Sequence, residues 1–418
     1  MKTELTFGRD KTLKPVIFHI DVNSAFLSWS ALENLKNGST VDLRLIPSII
    51  GGDMSRRHGV VLAKSIPAKA YGIQTGEPVV NAFRKCPSLV TQAPDHTLYS
   101  KRSHELMEYL SSVCPDIEQV SIDECYMDFS PIASNYPSPE AAAAQIKDHV
   151  RNTFGFTVNV GISDRKVLAK MASDFRKPDL VHTLYSHEIR EKMWKLPVSS
   201  LYMCGKSSVD TLRKLEIMTI GDLAKADPEI LFYHLKSHGR LLWNYANGLD
   251  DSVVEPESPD LKGIGNSITL SSDALTAGDC HHVLLNLADT VAGRLRASGQ
   301  AACMISTEIK YNTFQNVSHQ TTLDSPICSA DMIYETACSL FDEIWDKTPV
   351  RLLGIRTSKL VSKDEPVQLS LFDYKTKQHQ NEKKEKLDAA LFNIRQKYGE
   401  NSVVRGSFLH TKDEFKKH

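Results

Sequence analysis

Residues 16–26 read Val-Ile-Phe-His-Ile-Asp-Val-Asn-Ser-Ala-Phe, and this stretch decides how the rest of the chain is interpreted. The apolar, β-branched run from Val16 to Ile20 lies between Pro15 and Asp21, which indicates a short buried strand. Apolar residues then recur at helical spacing over residues 24–35, which indicates a helix. The stretch therefore predicts a strand that ends at an aspartate and is followed at once by a helix.

The composition is that of an ordinary globular protein. Its 418 residues are 41% hydrophobic and 24% charged, which suits about two to four domains. The formal net charge is −1, so a nucleic-acid surface has to be a local patch. The eight cysteines include no C-x-x-C pair and are interpreted as reduced and mostly buried. With a polar N-terminus and no long apolar stretch, we expect a cytoplasmic protein without a membrane segment.

Two adjacent carboxylates, Asp123 and Glu124, are the second feature that points to chemistry. They lie near the middle of residues 117–129, whose alternation is typical of a hairpin of two short strands. We expect both carboxylates on the sheet and not at a loop tip.

The segments around the hairpin indicate how it is placed. Helices are expected over residues 141–154 and 165–175, the second N-capped by Asp164, with a strand over residues 156–162 between them. Strand, helix, two strands, helix, strand is the split βαβ order, which places the hairpin beside the first strand. Asp21 would then converge with the Asp-Glu pair.

Three convergent carboxylates suit a site for two Mg²⁺ ions. Such ions, about 3.5–4 Å apart, need hard oxygen ligands and hold the attacking and leaving oxygens of a phosphoryl transfer. Asp21 and Asp123 could bridge both ions, and the Val22 carbonyl could add a ligand. Glu124 could hold the ion that faces the attacking hydroxyl. The alternative is a set of unrelated, solvated strand ends.

The remaining chain changes character several times. A Gly-punctuated region over residues 50–76 indicates a small inserted subdomain, and short helices with Gly turns begin near Leu196. The acidic, Pro-containing residues 250–260 are interpreted as an exposed linker. Strands over residues 302–314 and 350–360 flank helices at 280–297 and 330–346, which indicates a second α+β unit. The residues from 362 onward form a charged tail.

Three segments taken together resemble one known family. Residues 19–26, residues 121–126 and the segment from Gly161 to Pro178 closely resemble, in order and spacing, the motifs of Y-family translesion DNA polymerases. The resemblance covers residues 14–362, and the tail resembles that of the UmuC-like branch of Gram-positive bacteria. It implies an α+β multidomain, right-hand polymerase with a ferredoxin-like palm, small fingers, a helical thumb with a helix-hairpin-helix, and an α+β little finger.

The resemblance also implies domain bounds. They are a palm at 14–27 and 95–184, fingers at 28–94, a thumb at 185–249, a linker at 250–260, a little finger at 261–362 and a tail at 363–418.

The resemblance assigns Asp21, Val22, Asp123 and Glu124 to the metal site. Phe26 falls on the sugar-discriminating position, where an aromatic ring would clash with a 2′-hydroxyl; core packing is the alternative for this residue. The remaining nucleotide contacts implied are Lys69, Lys177, Ser24 and Ser65. Many relatives carry Tyr at position 24 and Arg at position 69, and Lys lacks the bidentate fork of Arg, so the triphosphate grip is expected to be looser.

Further positions are implied to contact DNA. The turn at Gly205 and Lys206 resembles a helix-hairpin-helix, which offers backbone N–H groups to a phosphate. Met203 replaces a Gly usual in this turn, and a plain helical corner is the alternative. In the little finger, outward basic residues would supply the local positive face, against the alternative of ordinary exposed strands. These residues are Lys262, Lys310, Arg351, Arg356 and Lys359.

An apolar island interrupts the charged tail. The sequence Gln-Leu-Ser-Leu-Phe at residues 368–372 resembles the peptide by which bacterial polymerases dock on the sliding clamp. Leu371 and Phe372 would be the apolar anchors, and Gln368 and Leu369 would add contacts. A stray strand is the alternative.

Taken together, the resemblance implies error-prone, template-directed addition of deoxynucleotides to a primer 3′-OH, without a proofreading exonuclease, in the SOS response to DNA damage. The implied cofactors are two Mg²⁺ ions. The implied partners are primer–template DNA, deoxynucleoside triphosphates and the sliding clamp, and we expect a monomer. Two other classes stay open: a catalytically silent DNA- and clamp-binding protein, and another two-metal palm enzyme such as a nucleotide cyclase. Retention of all three carboxylates argues against the first, and a cyclase would need neither little finger nor clamp peptide.

Overall fold

The computed structural model describes residues 15–52, 59–257 and 261–363, together with isolated positions between 387 and 403. The chain divides into two compact units. Within the described residues, the first unit holds residues 15–52 and 60–257, and the second holds Gly59 and the residues from 261 onward. In these ranges no helix is both long enough and apolar enough to cross a bilayer.

The first unit contains eight strands and eleven α-helices within the described residues. The strands are β1 (Ile17–Val22), β2 (Ser48–Gly51), β3 (Val61–Lys64), β4 (Val90–Gln92), β5 (Ile117–Gln119), β6 (Glu124–Asp128), β7 (Val158–Ser163) and β8 (Val181–Thr183). The helices are α1 (Ala25–Lys36), α2 (Ile66–Ala70), α3 (Val79–Lys85), α4 (His96–Val113), α5 (Pro139–His149), α6 (Lys166–Ser173), α7 (Ile189–Lys192), α8 (Lys206–Lys214), α9 (Ile220–Lys225), α10 (Pro228–Leu235) and α11 (Ser237–Ala246). A π-helical turn, Val150–Phe154, continues α5.

The second unit repeats the order strand, helix, strand twice. Its elements are β9 (Gly263–Ala274), α12 (Ala277–Ala297), β10 (Gln300–Tyr311), β11 (Asn316–Ile327), α13 (Ala330–Ile344) and β12 (Val350–Ser362).

A five-stranded sheet with the order β5-β6-β1-β7-β8 forms the centre of the first unit. β1 runs antiparallel to both β6 and β7, so the predicted placement of the hairpin beside the first strand is confirmed. All six residues of β1 are buried, because both faces of the sheet are covered. Phe18 and Ile20 pack in one core with residues of α4 and α5, and the opposite face lies against α6.

Gly161 on β7 explains how closely α6 approaches the sheet. A Cβ at this position would lie 2.0 Å from the Ala169 carbonyl oxygen and 2.4 Å from the Ser173 nitrogen, both backbone atoms of α6. Only a glycine leaves room for this contact. The side chains of α6 are thereby brought against β1 and β6.

Two smaller parts complete the first unit. A three-stranded sheet with the order β3-β2-β4 packs with α2 and α3 around a small core of its own. Helices α7 to α11 form a third core, to which α6 contributes Leu168 and Met171 from the side facing away from the central sheet.

The second unit is an antiparallel four-stranded sheet with the order β11-β10-β12-β9. Helices α12 and α13 cover one face. On β12, Leu353, Ile355 and Thr357 are buried while Arg356 is exposed, which is the alternation expected of a sheet with one solvated face.

The predicted N-cap of α6 was wrong. The cap residue is Arg165, which makes no side-chain capping bond. The carboxylate that serves the first turn is Asp250, whose Oδ2 accepts a hydrogen bond of 2.9 Å from the Val167 nitrogen. Asp164 accepts instead from the Ser186 hydroxyl at 2.9 Å, so the cap comes from a residue far along the chain.

The segment predicted as an exposed linker is only partly so. Residues 251–253 and 255–257 are exposed, but Val254 is 4% exposed and packs with Ile17, Tyr126 and Ala169. The Glu255 nitrogen donates to Glu118 Oε2 at 2.9 Å. Residues 250–257 therefore lie on the central sheet, and residues 258–260 are outside the described part.

The interpretation of the cysteines is confirmed. All eight are free, and six of them are buried.

Candidate active site

Asp21 and Glu124 face each other across the centre of the main sheet. They are directly paired in the register of β1 and β6, so their side chains leave the same face of the sheet. Asp21 is 8% exposed and Glu124 is half-buried. The antiparallel register thus brings together two of the three predicted carboxylates.

Asp123 lies in the hairpin bend before β6, and the prediction that it sits on the sheet was wrong for this residue. The nitrogens of Val120 and Ser121 both donate to the Glu124 carbonyl, and these bonds close the turn before the strand begins. The Asp123 carbonyl accepts from the Val22 nitrogen at 3.0 Å, and its carboxylate accepts from the Ser121 hydroxyl at 2.7 Å. The bend therefore carries Asp123 to the end of β1.

The two carboxylates of the hairpin have opposite electrostatic surroundings. Burial, followed by the negative charges of Asp21 and Glu124, raises the pKa of Asp123 above its usual range. His19 and the Lys170 ammonium hold the pKa of Glu124 at about 2 against the effect of burial. Asp123 is thus the carboxylate whose negative charge a cation would stabilise most.

Two lysines pair with the carboxylates. Lys177 contacts Asp21 and also lies 2.8 Å from Asp174. Burial lowers the pKa of Lys177, but the two aspartates outweigh it and the net shift is upward. Lys170 on α6 contacts Glu124. A cationic partner therefore stands at each of these two carboxylates.

The segment after α6 is held in place by the sheet. The Asn159 side chain on β7 donates to the carbonyls of Ser173 and Arg176, at 3.0 and 2.7 Å. These bonds fix the backbone that carries Asp174 and Lys177.

The sequence predicted Lys177 but missed Lys170, Asp174 and His19. A signal was present: positions 170, 174 and 177 follow helical spacing, and position 19 lies two residues before Asp21 on the same strand face. Which carboxylate each one meets depends on the packing of α6.

The donor set fits a hard divalent cation. Carboxylate oxygens at the end of a buried strand are ligands that Mg²⁺ prefers. Within the described residues, no three His, Cys, Asp or Glu side chains are spaced as a ready metal site. Asp21 and Glu124 are instead paired with lysines, and a bound metal ion would replace these lysines as the positive partner of the two carboxylates.

Phe26 lies at the start of α1, just beyond Asp21. Its ring is partly exposed and stacks on Tyr99, with centroids 4.3 Å apart and planes 8° apart. The Tyr99 hydroxyl is 2.8 Å from the Ser30 hydroxyl. Phe26 is therefore held from behind and keeps an exposed edge. Ser24 next to it is exposed, with φ of 49°.

The other two predicted nucleotide contacts lie at helix α2, beside the smaller sheet. Lys69 is exposed on α2. Ser65 is 2% exposed, and its hydroxyl donates to the Ile46 carbonyl and accepts from the Ala68 nitrogen as N-cap of α2. The Ser65 side chain therefore supports the helix that carries Lys69 and does not offer a free hydroxyl.

The predicted helix-hairpin-helix turn lies before α8. Gly205 is the N-cap of α8, and both Gly205 and Lys206 are exposed. Met203 has φ of 67°, a conformation that favours glycine, and its side chain is 51% exposed. The turn keeps the backbone shape usual for Gly although a Met occupies it.

The predicted basic residues of the second unit fall into two groups. Arg356, Lys359 and Lys262 are exposed. Lys310 and Arg351 are half-buried, and their cationic groups lie 5.5 and 4.9 Å from the ring centre of Phe314.

The uncovered face of the second unit's sheet forms a groove of about 810 Å³. Arg356 lies in it together with Glu308, and small or polar side chains form much of the remaining surface. The predicted clamp-binding residues Gln368, Leu369, Leu371 and Phe372 lie outside the described residues.

Comparison with known proteins gives the family. The model of the impB/mucB/samB family matches residues 20–174, and the model of the C-terminal domain of that family matches residues 261–371. DNA polymerase IV of Clostridium acetobutylicum is 46% identical over 402 residues, which are 96% of this chain and 100% of that protein. The chain belongs to the Y family of translesion DNA polymerases. It is a DNA-directed DNA polymerase.

Other Y-family relatives agree. DNA polymerase IV of Acetivibrio thermocellus is 34% identical over 95% of this chain and 98% of its own length. DNA polymerase IV 1 of Bacillus subtilis is 34% identical over 94% of this chain and 93% of its own length. The finer placement in the UmuC-like branch stays a prediction.

A solved structure of the Y family shares the fold. The Y-family DNA polymerase chimera Dbh-Dpo4(243-245)-Dbh matches with a TM-score of 0.72 at 20% identity, over 83% of this chain and 99% of that chain. The predicted fold class, an α+β Y-family polymerase, is confirmed. The bounds of palm, fingers, thumb and little finger stay predictions, as do the monomeric state and the cytoplasmic location.

Proposed function

We propose that this Y-family polymerase extends a primer 3′-OH by a two-metal mechanism at Asp21, Asp123 and Glu124. The observation that carries the proposal is the register of β1 and β6, which pairs Asp21 with Glu124, together with the bond from Val22 to Asp123. Two Mg²⁺ ions, held by these carboxylates and the Val22 carbonyl, would supply the positive charge that phosphoryl transfer needs.

Lys177 is placed to change partners when a nucleotide binds. Its ammonium contacts Asp21 and Asp174 at once. A triphosphate would attract the ammonium more strongly than one carboxylate does, and Asp174 would keep the side chain close as it leaves Asp21. Asp21 is then free for a metal ligand role.

Phe26 supplies the selection of the sugar in this proposal. The ring cannot retreat, because Tyr99 stacks on it at 4.3 Å. A 2′-hydroxyl on the incoming sugar would meet the ring, so deoxynucleotides are preferred. Lys69, from the exposed face of α2, would add charge toward the triphosphate.

Primer extension on a gapped template with Mg²⁺ tests the catalytic proposal. Wild type is compared with Asp123→Ala, whose rate of extension we expect to be lower by about 1,000-fold or more. Without this carboxylate the metal ions that would stabilise the negative charge of the transition state are no longer held. Asp128→Ala, at the far end of β6, is the matched control and should retain extension. If wild type adds no nucleotide, or if Asp123→Ala extends as wild type does, the proposal fails.

We propose further that the polymerase has no proofreading exonuclease. The two family models together span residues 20–174 and 261–371 of the chain, and both belong to the polymerase family itself. A labelled primer with a mispaired 3′ end should keep its length when incubated with enzyme and Mg²⁺ without nucleotides. Shortening of that primer by the purified enzyme, retained in Asp123→Ala, would contradict this.

The remaining contacts are proposed from position and charge. The exposed turn at Gly205 and Lys206 would hold a DNA phosphate, and the exposed Arg356, Lys359 and Lys262 would contact the duplex backbone. Lys310 and Arg351 would add charge beside Phe314.

The tail peptide at 368–372 is proposed to dock on the sliding clamp. Its two anchors are apolar residues in an otherwise polar segment. The double variant Leu371→Ala with Phe372→Ala should lose stimulation by the clamp and keep extension without it. Undiminished stimulation would indicate another docking surface.

A further inference from the structure

His19 is a buried histidine beside the candidate active site; the motif at residues 19–26 begins with it, but the reaction described above gives it no role. Its side chain is 1% exposed. Nδ1 lies 2.8 Å from the Ser173 hydroxyl oxygen, and Nε2 lies 3.4 Å from Glu124 Oε2. Nε2 is buried, and no group of the protein, Glu124 included, meets it with hydrogen-bond geometry. A buried polar atom without a partner is costly, so the direction in which Nε2 points is informative.

The imidazole is confined by three elements. Gly161 stands opposite His19 on β7, and its missing side chain lets α6 lie directly on the sheet. Ser173 at the end of α6 therefore cannot withdraw from Nδ1. The Tyr126 ring meets the imidazole edge-on, with centroids 4.8 Å apart. Little freedom remains for the ring to turn away from Glu124.

The carboxylate selects the tautomer. The Ser173 hydroxyl has a single hydrogen, with Nδ1 at 2.8 Å and the Lys170 carbonyl at 2.9 Å as its two acceptors. If that hydrogen goes to Nδ1, Nε2 carries the ring hydrogen, with Glu124 Oε2 3.4 Å away. In the other tautomer the Nε2 lone pair would face a carboxylate, which is repulsive. The pair is therefore favourable with Nε2–H as the donor.

Both contacts of Glu124 go to the same oxygen. Lys170 and His19 each approach Oε2. Oε1 is the oxygen that neither of them takes. A carboxylate held in this way from outside the site presents its second oxygen in one orientation.

We propose that His19 is a positioning residue for Glu124, which it orients through Nε2–H so that Oε1 faces the divalent ion. This rests on the proposed metal role of Glu124. A core histidine that serves packing alone would have no reason to direct its second nitrogen at this carboxylate. Lys170 balances the negative charge at Oε2. His19, which Ser173 holds in place, fixes the orientation of the Glu124 carboxylate.

The test measures ion binding as well as activity. Binding of Mn²⁺ to the full-length enzyme on primer–template DNA with a dideoxy-terminated primer is followed by loss of the free-ion EPR signal. In parallel, the apparent KM for Mg²⁺, the KM for the nucleotide and kcat are measured by primer extension. Melting temperatures report folding.

His19→Leu fills the space without a donor. We expect it to weaken Mn²⁺ binding and raise the apparent KM for Mg²⁺ by about tenfold, as is typical when a partner of a metal ligand is lost. At saturating Mg²⁺, the KM for the nucleotide should stay within about twofold, since the carboxylate and not the triphosphate site is loosened. His19→Gln, which can place an amide N–H near Nε2, should recover most of the affinity.

Two further variants keep the test decisive if His19→Leu folds poorly. Ser173→Ala frees Nδ1 and should weaken ion binding in the same direction by a smaller factor. Ile20→Val, on the same strand but facing the opposite core, should lower the melting temperature without changing ion affinity.

Unchanged Mn²⁺ affinity in folded His19→Leu or in Ser173→Ala would overturn the inference, as would an effect of equal size in Ile20→Val. A wild-type enzyme that extends no primer would instead reject the proposed function. The two failures are therefore distinguishable.

Discussion

Charged side chains such as Asp21 are buried with ionic partners on the central sheet of the first unit, whereas on the sheet of the second unit charged side chains such as Arg356 are exposed to solvent. On β1, all six residues are buried, and Asp21 lies among other charged groups that are held by specific partners. On β12 the exposed residues Arg356, Lys359 and Ser362 stand among buried and partly buried ones, and Arg356 lines an open groove. One sheet is covered on both faces and the other on one face.

The difference shows in which region the exact position of a charged side chain matters. In a desolvated site each charge interacts strongly with its neighbours, so position and partner decide its effect. On a solvated face the charges are screened and contribute in small, nearly independent amounts. Substitutions of charged residues in the first region should therefore have large effects, and those in the second should have small ones.

Removal of one charge from each sheet gives the largest contrast. Asp21→Asn keeps the shape of the side chain but removes the negative charge of the carboxylate that would bind the metal ions. It also removes the ionic partner of Lys177, so kcat should fall by about 1,000-fold. Glu308→Gln, on the open groove, should change kcat by no more than about twofold. Single-turnover primer extension measures both. Equal effects would break the comparison.

Addition of one methyl group to each sheet is the next contrast. Gly161→Ala would place a Cβ 2.0 Å from a backbone oxygen of α6, so α6 must shift, at a cost of about 2–3 kcal/mol in the free energy of unfolding. Activity should fall as well, since α6 carries Lys170 and Ser173.

Gly354→Ala is the matched control. Its Cβ would lie 3.1 Å from the Ser267 Cβ, with backbone atoms no closer than 3.6 Å, and the cost should be below about 1 kcal/mol. Denaturant unfolding of both variants measures the difference. Similar losses of stability would mean that the close approach of α6 is not what makes position 161 sensitive.

The aromatic ring at the edge of the buried site should show an intermediate effect. Phe26→Ala removes the surface that a 2′-hydroxyl would meet, so discrimination against ribonucleotides should drop by about 100-fold while extension with deoxynucleotides continues. The ratio of kcat/KM for the two nucleotides is the measurement. Phe156→Leu, in the same core, should lower stability and leave the ratio unchanged. An unchanged ratio in Phe26→Ala would remove this residue from sugar selection.

The smallest effect is expected on the open groove. Arg356→Ala should weaken DNA binding a few-fold and reduce the slope of log affinity against log salt by about 0.9, the value for one phosphate contact. Arg356→Lys should keep the slope. Fluorescence anisotropy at several salt concentrations measures both. A change in kcat with no change in slope would place Arg356 in a different role.

Much of the fold was accessible from local pattern. Strand β1, helix α1 and the split βαβ order follow from hydrophobic period and turn residues, which depend on near neighbours in the chain. The same reasoning misplaced Asp123 by one residue relative to the strand, because the end of a hairpin turn is set by bonds to Glu124 and not by propensity. It also gave the cap of α6 to Asp164, when Asp250 reaches the helix from a distant segment.

The sequence by itself determined the three carboxylates, the aromatic ring beside them and the family to which they belong, since these lie in short motifs with fixed spacing. Only the tertiary structure decided which cation meets which carboxylate. Lys170 reaches Glu124 across 46 positions of the chain, and Lys177 reaches Asp21 across 156. Such pairings depend on the register of β1 and on how closely α6 lies against Gly161, and neither distance is encoded in the spacing of the residues themselves.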